Sequence, residues 1–593
     1  MLSLEDIDLL LRRGDICSAY DACRDALNEM NEDWRFAHRS ILCLIRSGAL
    51  ERAFLEFSAL NEDLKNAHED MLVLNGRLLK AVALESAPPH RARLARLASH
   101  AYGRVFQRTG GLYPGVNQAS LLALAGDYDQ AKGLAGHLLA HGFEEPDYNP
   151  ERYYYWASLA ECYGLLGDEP AFCRALHRSI DVDPTHYGAR AVTLNQLEWA
   201  LQEHPLLLRH LDACRGPACL HFAGSIFPDL GVGALDEHAR AKIYDDVRAW
   251  VRQYNIGFAY GALAAGADML IVEALLAEGC EVSLVLPAPT GVFYDYSVAP
   301  YGEYWVKRFE ALIRQVESIR WMHEGREGLS AAGIAYANEV AMGLTHLRAQ
   351  ALGVKARQLI LSRDRSDEQS FSYLCHARWT QTAMASQVWP LKIDPASTPA
   401  LPPAPLPRPH SALRAMIFGD VRGYSQLSDD QIPLFVEGIW QALVMCYRDL
   451  THPPRFENSW GDGLFLVFED VEDAAQAAMA LQACFRDLDL AQLGLPEHLA
   501  LRLGVHYGPV HELEDPVLGR KNVFGAQVVT AARIEPLTPP GAIYVSEAFA
   551  ATLTLLGQGQ YRCAYIGRNI LQGHGDMGLY TLRPAFNSVS RLN

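Results

Sequence analysis

The residues best placed to do chemistry lie between Ala415 and Phe468, where two stretches, AMIFGDVRGYS and RFENSWGDGLFLVF, flank a helix-length spacer. The first reads as an apolar strand that stops at Asp420. It hands over to a tight turn, Val421-Arg422-Gly423-Tyr424, whose backbone N–H groups would be free to hold an anion. The second reads as a hairpin, with strands over Arg455 to Ser459 and Leu464 to Phe468 joined by the turn Trp460-Gly461-Asp462-Gly463. If the hairpin lies beside the first strand, Asp420 and Asp462 meet at one sheet edge. Two carboxylates beside free amides suit a pair of Mg²⁺ ions carrying a nucleoside triphosphate, because Mg²⁺ takes one or two carboxylates plus phosphate oxygens.

The pattern Phe-x-Asp-Val-x-Gly-Tyr-Ser followed by Gly-Asp-Gly resembles the class III nucleotidyl cyclase homology domain. The likeness continues through LRLGVHYGPV (Leu501 to Val510), NVFGAQVVTAARIE (Asn522 to Glu535) and PPGAIYVSE (Pro539 to Glu547), and covers Leu413 to Leu582. It implies an α+β, ferredoxin-like cyclase domain in which a ribose 3′-hydroxyl attacks its own α-phosphate, giving a 3′,5′-cyclic nucleotide and pyrophosphate. Asp420 and Asp462 fall on the family's two metal-ligand positions, the carbonyl of Val421 on its backbone ligand, and Arg533 on its transition-state arginine. Two Mg²⁺ or Mn²⁺ ions per site follow from the resemblance. So does a homodimer, since the family draws its carboxylates and its arginine from opposite subunits.

The same resemblance exposes departures. The family's ribose-orienting Asn is Val529 here, with Thr530 beside it, and the triphosphate-binding Lys is Gln572, which leaves His574 or Arg568 to compensate. The base-selecting positions are Asn458 and Asn522, whose amides both donate and accept. The resemblance favours ATP and leaves GTP and pyrimidine nucleotides open. Arg422, Gly423 and Tyr424 complete the expected substrate-binding set. The alternative is a catalytically weak or inactive cyclase fold that serves as a nucleotide sensor or scaffold.

The 593 residues are enough for about three or four domains, with 50% hydrophobic and 21% charged residues, as in ordinary globular protein. A net charge of −18 without clustered Lys or Arg argues against nucleic acid as a partner. Twelve scattered cysteines, none at C-x-x-C spacing, argue against zinc and for reduced core thiols. The acidic start MLSLEDIDLLLRRGD has no apolar signal core, and the most apolar stretch, Ile256 to Leu276, contains Asp268 and Glu273. A cytoplasmic protein without a membrane span is expected.

The elements that must position the acidic pair come after two other regions. Residues 1–212 read as all-α. Gly14 and Gly48, like Ala19 and Ala53, stand 34 residues apart, the tetratricopeptide period, and later copies begin at Leu121 and Glu161. The region is similar to tetratricopeptide scaffolds, whose concave face is open to a protein partner. Residues 213–394 alternate strands and helices, implying an α/β parallel sheet. They resemble the SLOG group of Rossmann-like domains through Phe222-Ala223-Gly224-Ser225, Gly266-Ala267-Asp268 and Glu273. That resemblance marks Gly224, Ser225, Gly266, Asp268 and Glu273 as a second ligand site open to a nucleotide, while glycines demanded by tight turns account for the pattern equally well. Pro395 to His410 forms a proline-rich linker, and 411–593 is the cyclase-like domain.

Overall fold

The computed structural model describes residues 2–29, 33–231, 234–362, 371–382, 384–390, 411–557, 559–571 and 575–585. The proline-rich segment 395–410 lies outside them. The chain divides into two compact units: residues 1–216 with short segments 351–354 and 564–568, and the remainder of the chain.

The first unit is built from antiparallel helix pairs. Ala19 and Ala53 are fully buried where paired helices touch. Gly14 and Gly48 have a different job: each closes a helix in the left-handed conformation (φ 76° and 87°), which a side chain would strain. The 34-residue recurrence therefore records both a close approach and a helix stop. The array returns on itself. The first helix, Leu4–Arg13, packs against the helix Tyr187–Ala200, Arg12 ion-pairs with Asp183 at 2.6 Å, and a Cβ on Gly188 would come within 2.2 Å of the Leu11 carbonyl.

The second unit contains two sheets. The first comprises β1 (Ala218–Gly224), β2 (Ile256–Gly261), β3 (Glu281–Leu286), β4 (Ser318–Trp321), β5 (Ala356–Ser362) and β6 (Ser386–Pro390). All pairs are parallel and the order is β4-β3-β2-β1-β5-β6, the Rossmann-like arrangement that alternating strands and helices imply. The last strand, β6, has no counterpart in the sequence reading. The apolar helix Ala267–Ala277 is buried on nearly every face in the core beside this sheet.

The second sheet comprises β7 (Ser411–Arg422), β8 (Phe456–Trp460), β9 (Gly463–Phe468), β10 (Ala500–Asp515), β11 (Arg520–Phe524), β12 (Ile543–Ser546), β13 (Tyr561–Leu571) and β14 (Gly575–Pro584). Its path is β13-β14-β12-β10-β7-β9-β8, with β11 paired to β10. Met416, Phe418 and Asp420 alternate onto one face of β7. There Met416 and Phe418 join Phe465, Val467, Val510 and Ala531 in a core cluster covered by the helix Ala526–Ile534. Asp420 sits where this apolar row ends.

The two sheets are joined by the helix Ala331–Leu352. Glu339 on that helix accepts a hydrogen bond from the Tyr507 hydroxyl of β10 (2.7 Å) and pairs with Arg378 at 3.1 Å. Gly343 lies so close to the helix Glu547–Leu556 that a Cβ would stand 2.2 Å from the Ala551 carbonyl. Arg320 of β4 also reaches Glu547 at 3.3 Å.

Candidate active site

Strand β7 does not stop at Asp420. Val421 and Arg422 stay in the ladder with β10, opposite Leu501 and Ala500, because β10 is long enough to pair with them. The turn begins only at Gly423, whose φ of 94° requires a glycine, and Tyr424–Gln426 follow as a short 3₁₀ turn. The hairpin is also tighter than the sequence suggests. Trp460 and Gly463 pair directly, leaving Gly461 and Asp462 as a two-residue loop, with φ 62° at Gly461. Since β9 lies beside β7 in antiparallel register, Gly419 opposite Leu464, the loop brings Asp462 to Asp420.

The two carboxyls interact. Burial, then a hydrogen bond and charge from Asp420, push Asp462 up to about 6. Asp420 is also opposite Arg502 in the β7–β10 register, and Arg502 donates to its Oδ2 through Nε and Nη2 at 2.9 and 2.6 Å. Arg502 further contacts Glu535 at 2.5 Å. That contact is an ion pair without hydrogen-bond alignment, since the Glu535 oxygen has no hydrogen-bond partner. Burial raises Glu535 to about 7, with Arg502 opposing and the two aspartates reinforcing the rise. One guanidinium thus contacts two carboxyls, Asp420 and Glu535, and its charge opposes the rise at Asp462.

Sequence reading passed over Arg502 and Glu535, although a signal was there. An arginine inside the otherwise apolar run LRLGV must find an acid or leave its charge unpaired.

Arg533 and Val529 lie one turn apart on the helix Ala526–Ile534. Arg533 Nη1 is buried with no hydrogen-bond partner, and Val529 is 43% exposed. Thr530 faces inward, 2% exposed, with its hydroxyl donating to the Ala526 carbonyl. It cannot stand in for an asparagine on the Val529 face. Asn458 accepts from Arg520 at 3.2 Å and Asn522 donates to Asp515 at 2.7 Å. Gln572 and His574 lie outside the described residues. Arg568, in the short segment that packs within the first unit, ion-pairs with Asp21 at 3.3 Å, so its charge is already matched.

Among the described residues no group of three or more His, Cys, Asp or Glu is arranged to hold a metal. Two adjoining carboxylates nonetheless fit a hard cation that takes its remaining ligands from water and phosphate, as Mg²⁺ does. The mutual repulsion at Asp420 and Asp462 is the charge such a cation would neutralise.

In the Rossmann-like domain Gly224, Ser225, Gly266 and Asp268 come together. The Ala267 N–H donates to the Ser225 carbonyl, and Asp268, 5% exposed, accepts from the Ala264 N–H at 3.2 Å and is raised to about 7 by burial. Glu273, on the same helix as Asp268, pairs with Arg308 at 2.6 Å. A Cβ on Gly224 would lie 2.3 Å from that of Ala267, so packing alone demands this glycine.

Residues 410–584 match the family model of the adenylate and guanylate cyclase catalytic domain, and residues 16–122 match the Tetratricopeptide Repeats-Sensor model. Over 140 residues the chain is 31% identical to a Rhizobium meliloti (strain 1021) protein named as an adenylate cyclase. That match covers 23% of this chain and 22% of the relative's length. Similar solved structures include the guanylate cyclase domain of RhGC from Catenaria anguillulae, in complex with GTP. It is 18% identical, the match covers 29% of this chain and 97% of that one, and the TM-score is 0.26. The adenylyl cyclase CyaB from P. aeruginosa is 16% identical, with 29% and 95% covered and a TM-score of 0.27. By the family model, residues 410–584 are a class III adenylate/guanylate cyclase catalytic domain. It follows a tetratricopeptide-sensor helical region and a parallel-sheet domain. Among the described residues no helix is long and apolar enough to cross a membrane.

Proposed function

We propose that the chain is a nucleotidyl cyclase that converts a nucleoside triphosphate, ATP first, to the 3′,5′-cyclic monophosphate and pyrophosphate at a homodimer interface. The observation that carries this reading is the juxtaposition of Asp420 and Asp462, close enough to lift Asp462 to about 6. Asp420, Asp462 and the Val421 carbonyl would hold two Mg²⁺ or Mn²⁺ ions, which when bound lower the hydroxyl's pKa and neutralise the leaving phosphates. The turn at Gly423 and Tyr424 would cradle the triphosphate, and Asn458 and Asn522 would read the base. Arg533, with a buried and unpartnered Nη1, would stabilise charge developing at the transition state of the opposite subunit's site. Catalysis would then require two chains. The helical and Rossmann-like regions would set this geometry in response to a signal, the latter through Glu339 and Tyr507.

Exposed Val529 supports the second reading, a cyclase fold of weak or absent turnover, because it offers no hydrogen bond where the family resemblance calls for one. Incubating the purified chain with each nucleoside triphosphate and Mg²⁺ or Mn²⁺ separates the two. Cyclic monophosphate and pyrophosphate in equal amounts support the cyclase; nucleotide binding without product supports the sensor.

A further inference from the structure

The helical unit closes into a ring, and the helices that face inward carry an unusual set of side chains. Arg77 and Lys80 stand one turn apart on the helix Leu74–Leu84. Lys80 Nζ donates to Asn117 at 2.8 Å and to Gln196 at 2.9 Å, amide groups from two other helices. Gln196 in turn donates to the buried Glu161, which also accepts from Ser120. Arg77 donates to the Tyr113 hydroxyl at 3.0 Å and lies 5.1 Å from that ring's centre. One lysine thus ties together helices distant in sequence, deep inside the array.

The charges in this interior do not balance. The helix Trp34–Ser47, which carries His38 and Arg46, packs against the helix that carries Arg77 and Lys80, and, after burial, Arg77 and Arg46 are both among the charges that hold His38 below its ordinary value. Arg190 lies on the same inward helix as Gln196. Against Arg46, Arg77, Lys80 and Arg190 stand Glu161 and Asp70, while Arg39, which also acts on His38, is matched by Asp8, and Asp183 by Arg12. Arg46 forms no hydrogen bond or ion pair with a described residue. Two polar groups more than nine-tenths buried have an unpartnered nitrogen: His38 Nε2 (8% exposed) and Arg190 Nε (8%). Burying such groups costs stability unless something fills them. Yet Arg46, Arg77 and Lys80 each keep part of their surface exposed.

We propose that the interior of the helical ring is a binding site for a small phosphate-bearing anion, held by Arg46, Arg77 and Lys80 with the His38 edge and the Tyr113 ring beside it. The guanidiniums match a phosphate's oxygens in pairs, and Lys80 supplies a point charge. A structural network alone explains Lys80 and Glu161. It leaves Arg46 without a purpose and the unpartnered nitrogens unfilled.

The test is independent of the cyclase reading. The full-length Asp462→Asn chain, in EDTA, is titrated calorimetrically with pyrophosphate and with adenosine 5′-monophosphate. At least one probe should saturate a single site per chain, with affinity falling as NaCl rises. Arg77→Gln and Lys80→Met should each weaken binding roughly tenfold or more, and Arg46→Gln several-fold. Arg46→Gln breaks no existing bond, so it reports on binding even if the other variants unfold; circular dichroism verifies the fold. Pyrophosphate alone binding identifies charge as the determinant, and the nucleotide alone binding adds the ring. If neither probe saturates, or if the folded variants bind as the parent does, the proposal fails.

Discussion

Arg502 and Asp420 face each other across the β7–β10 ladder, guanidinium to carboxylate at 2.6 Å, and the same guanidinium reaches Glu535. The arginine is thus the resident counter-ion of a carboxylate that a metal would claim. Arg502→Met should leave Asp420 and Glu535 without their shared cation. We expect a folded but less stable protein with product formation lowered at least tenfold, read by thermal unfolding and a cyclic-nucleotide assay.

Asp462→Ala should abolish product while the chain stays folded, because Asp462 sits in a hairpin loop rather than in the core. Cyclic nucleotide from this variant at parental rate would refute the assignment.

The raised acids set a pH dependence. Asp462 and Glu535 hold their protons more tightly folded than unfolded, at about 6 and about 7. Their contribution to stability is complete below about pH 4 and is lost as pH rises through 6 and 7. In EDTA, the melting temperature should carry this decline. Mg²⁺ should restore it at pH 8 and do little at pH 5, where it competes with the proton.

Mixed Asp420→Ala and Arg533→Ala chains should recover activity that neither has alone, because a mixed dimer rebuilds one complete site. Absence of recovery despite verified subunit exchange would place all catalytic groups on one chain.

Val529→Asn should raise turnover, on the order of tenfold to a hundredfold, by returning a hydrogen bond one turn from Arg533. An unchanged rate would show that the position does not meet the substrate.

The acidic pair was legible because glycine-rich turns and alternating apolar residues are local signals: Gly461 and Gly423 both adopt the positive φ their turns require. Most of the parallel sheet was legible for the same reason, β1, β2, β3 and β5 being short apolar runs. What escaped was non-local. Whether Val421 and Arg422 continue the strand depends on the length of β10, eighty residues away. Strand β6, with alternate residues only partly buried, lacks an apolar run. The closed ring depends on Gly188 meeting Leu11, and no repeat period encodes that contact. The partner of Glu273, Arg308, was not legible either, since it belongs to a helix the motif does not include.

Gly343 has nothing between its α-carbon and the Ala551 carbonyl, and Glu339 holds the Tyr507 hydroxyl nearby. A chain cut at the proline-rich border to yield the cyclase domain alone would strip away this cover. Tyr507 and the flank of the helix Glu547–Leu556 would meet water, inviting precipitation or a spurious association. The smallest fragment that keeps this cover therefore begins before β1.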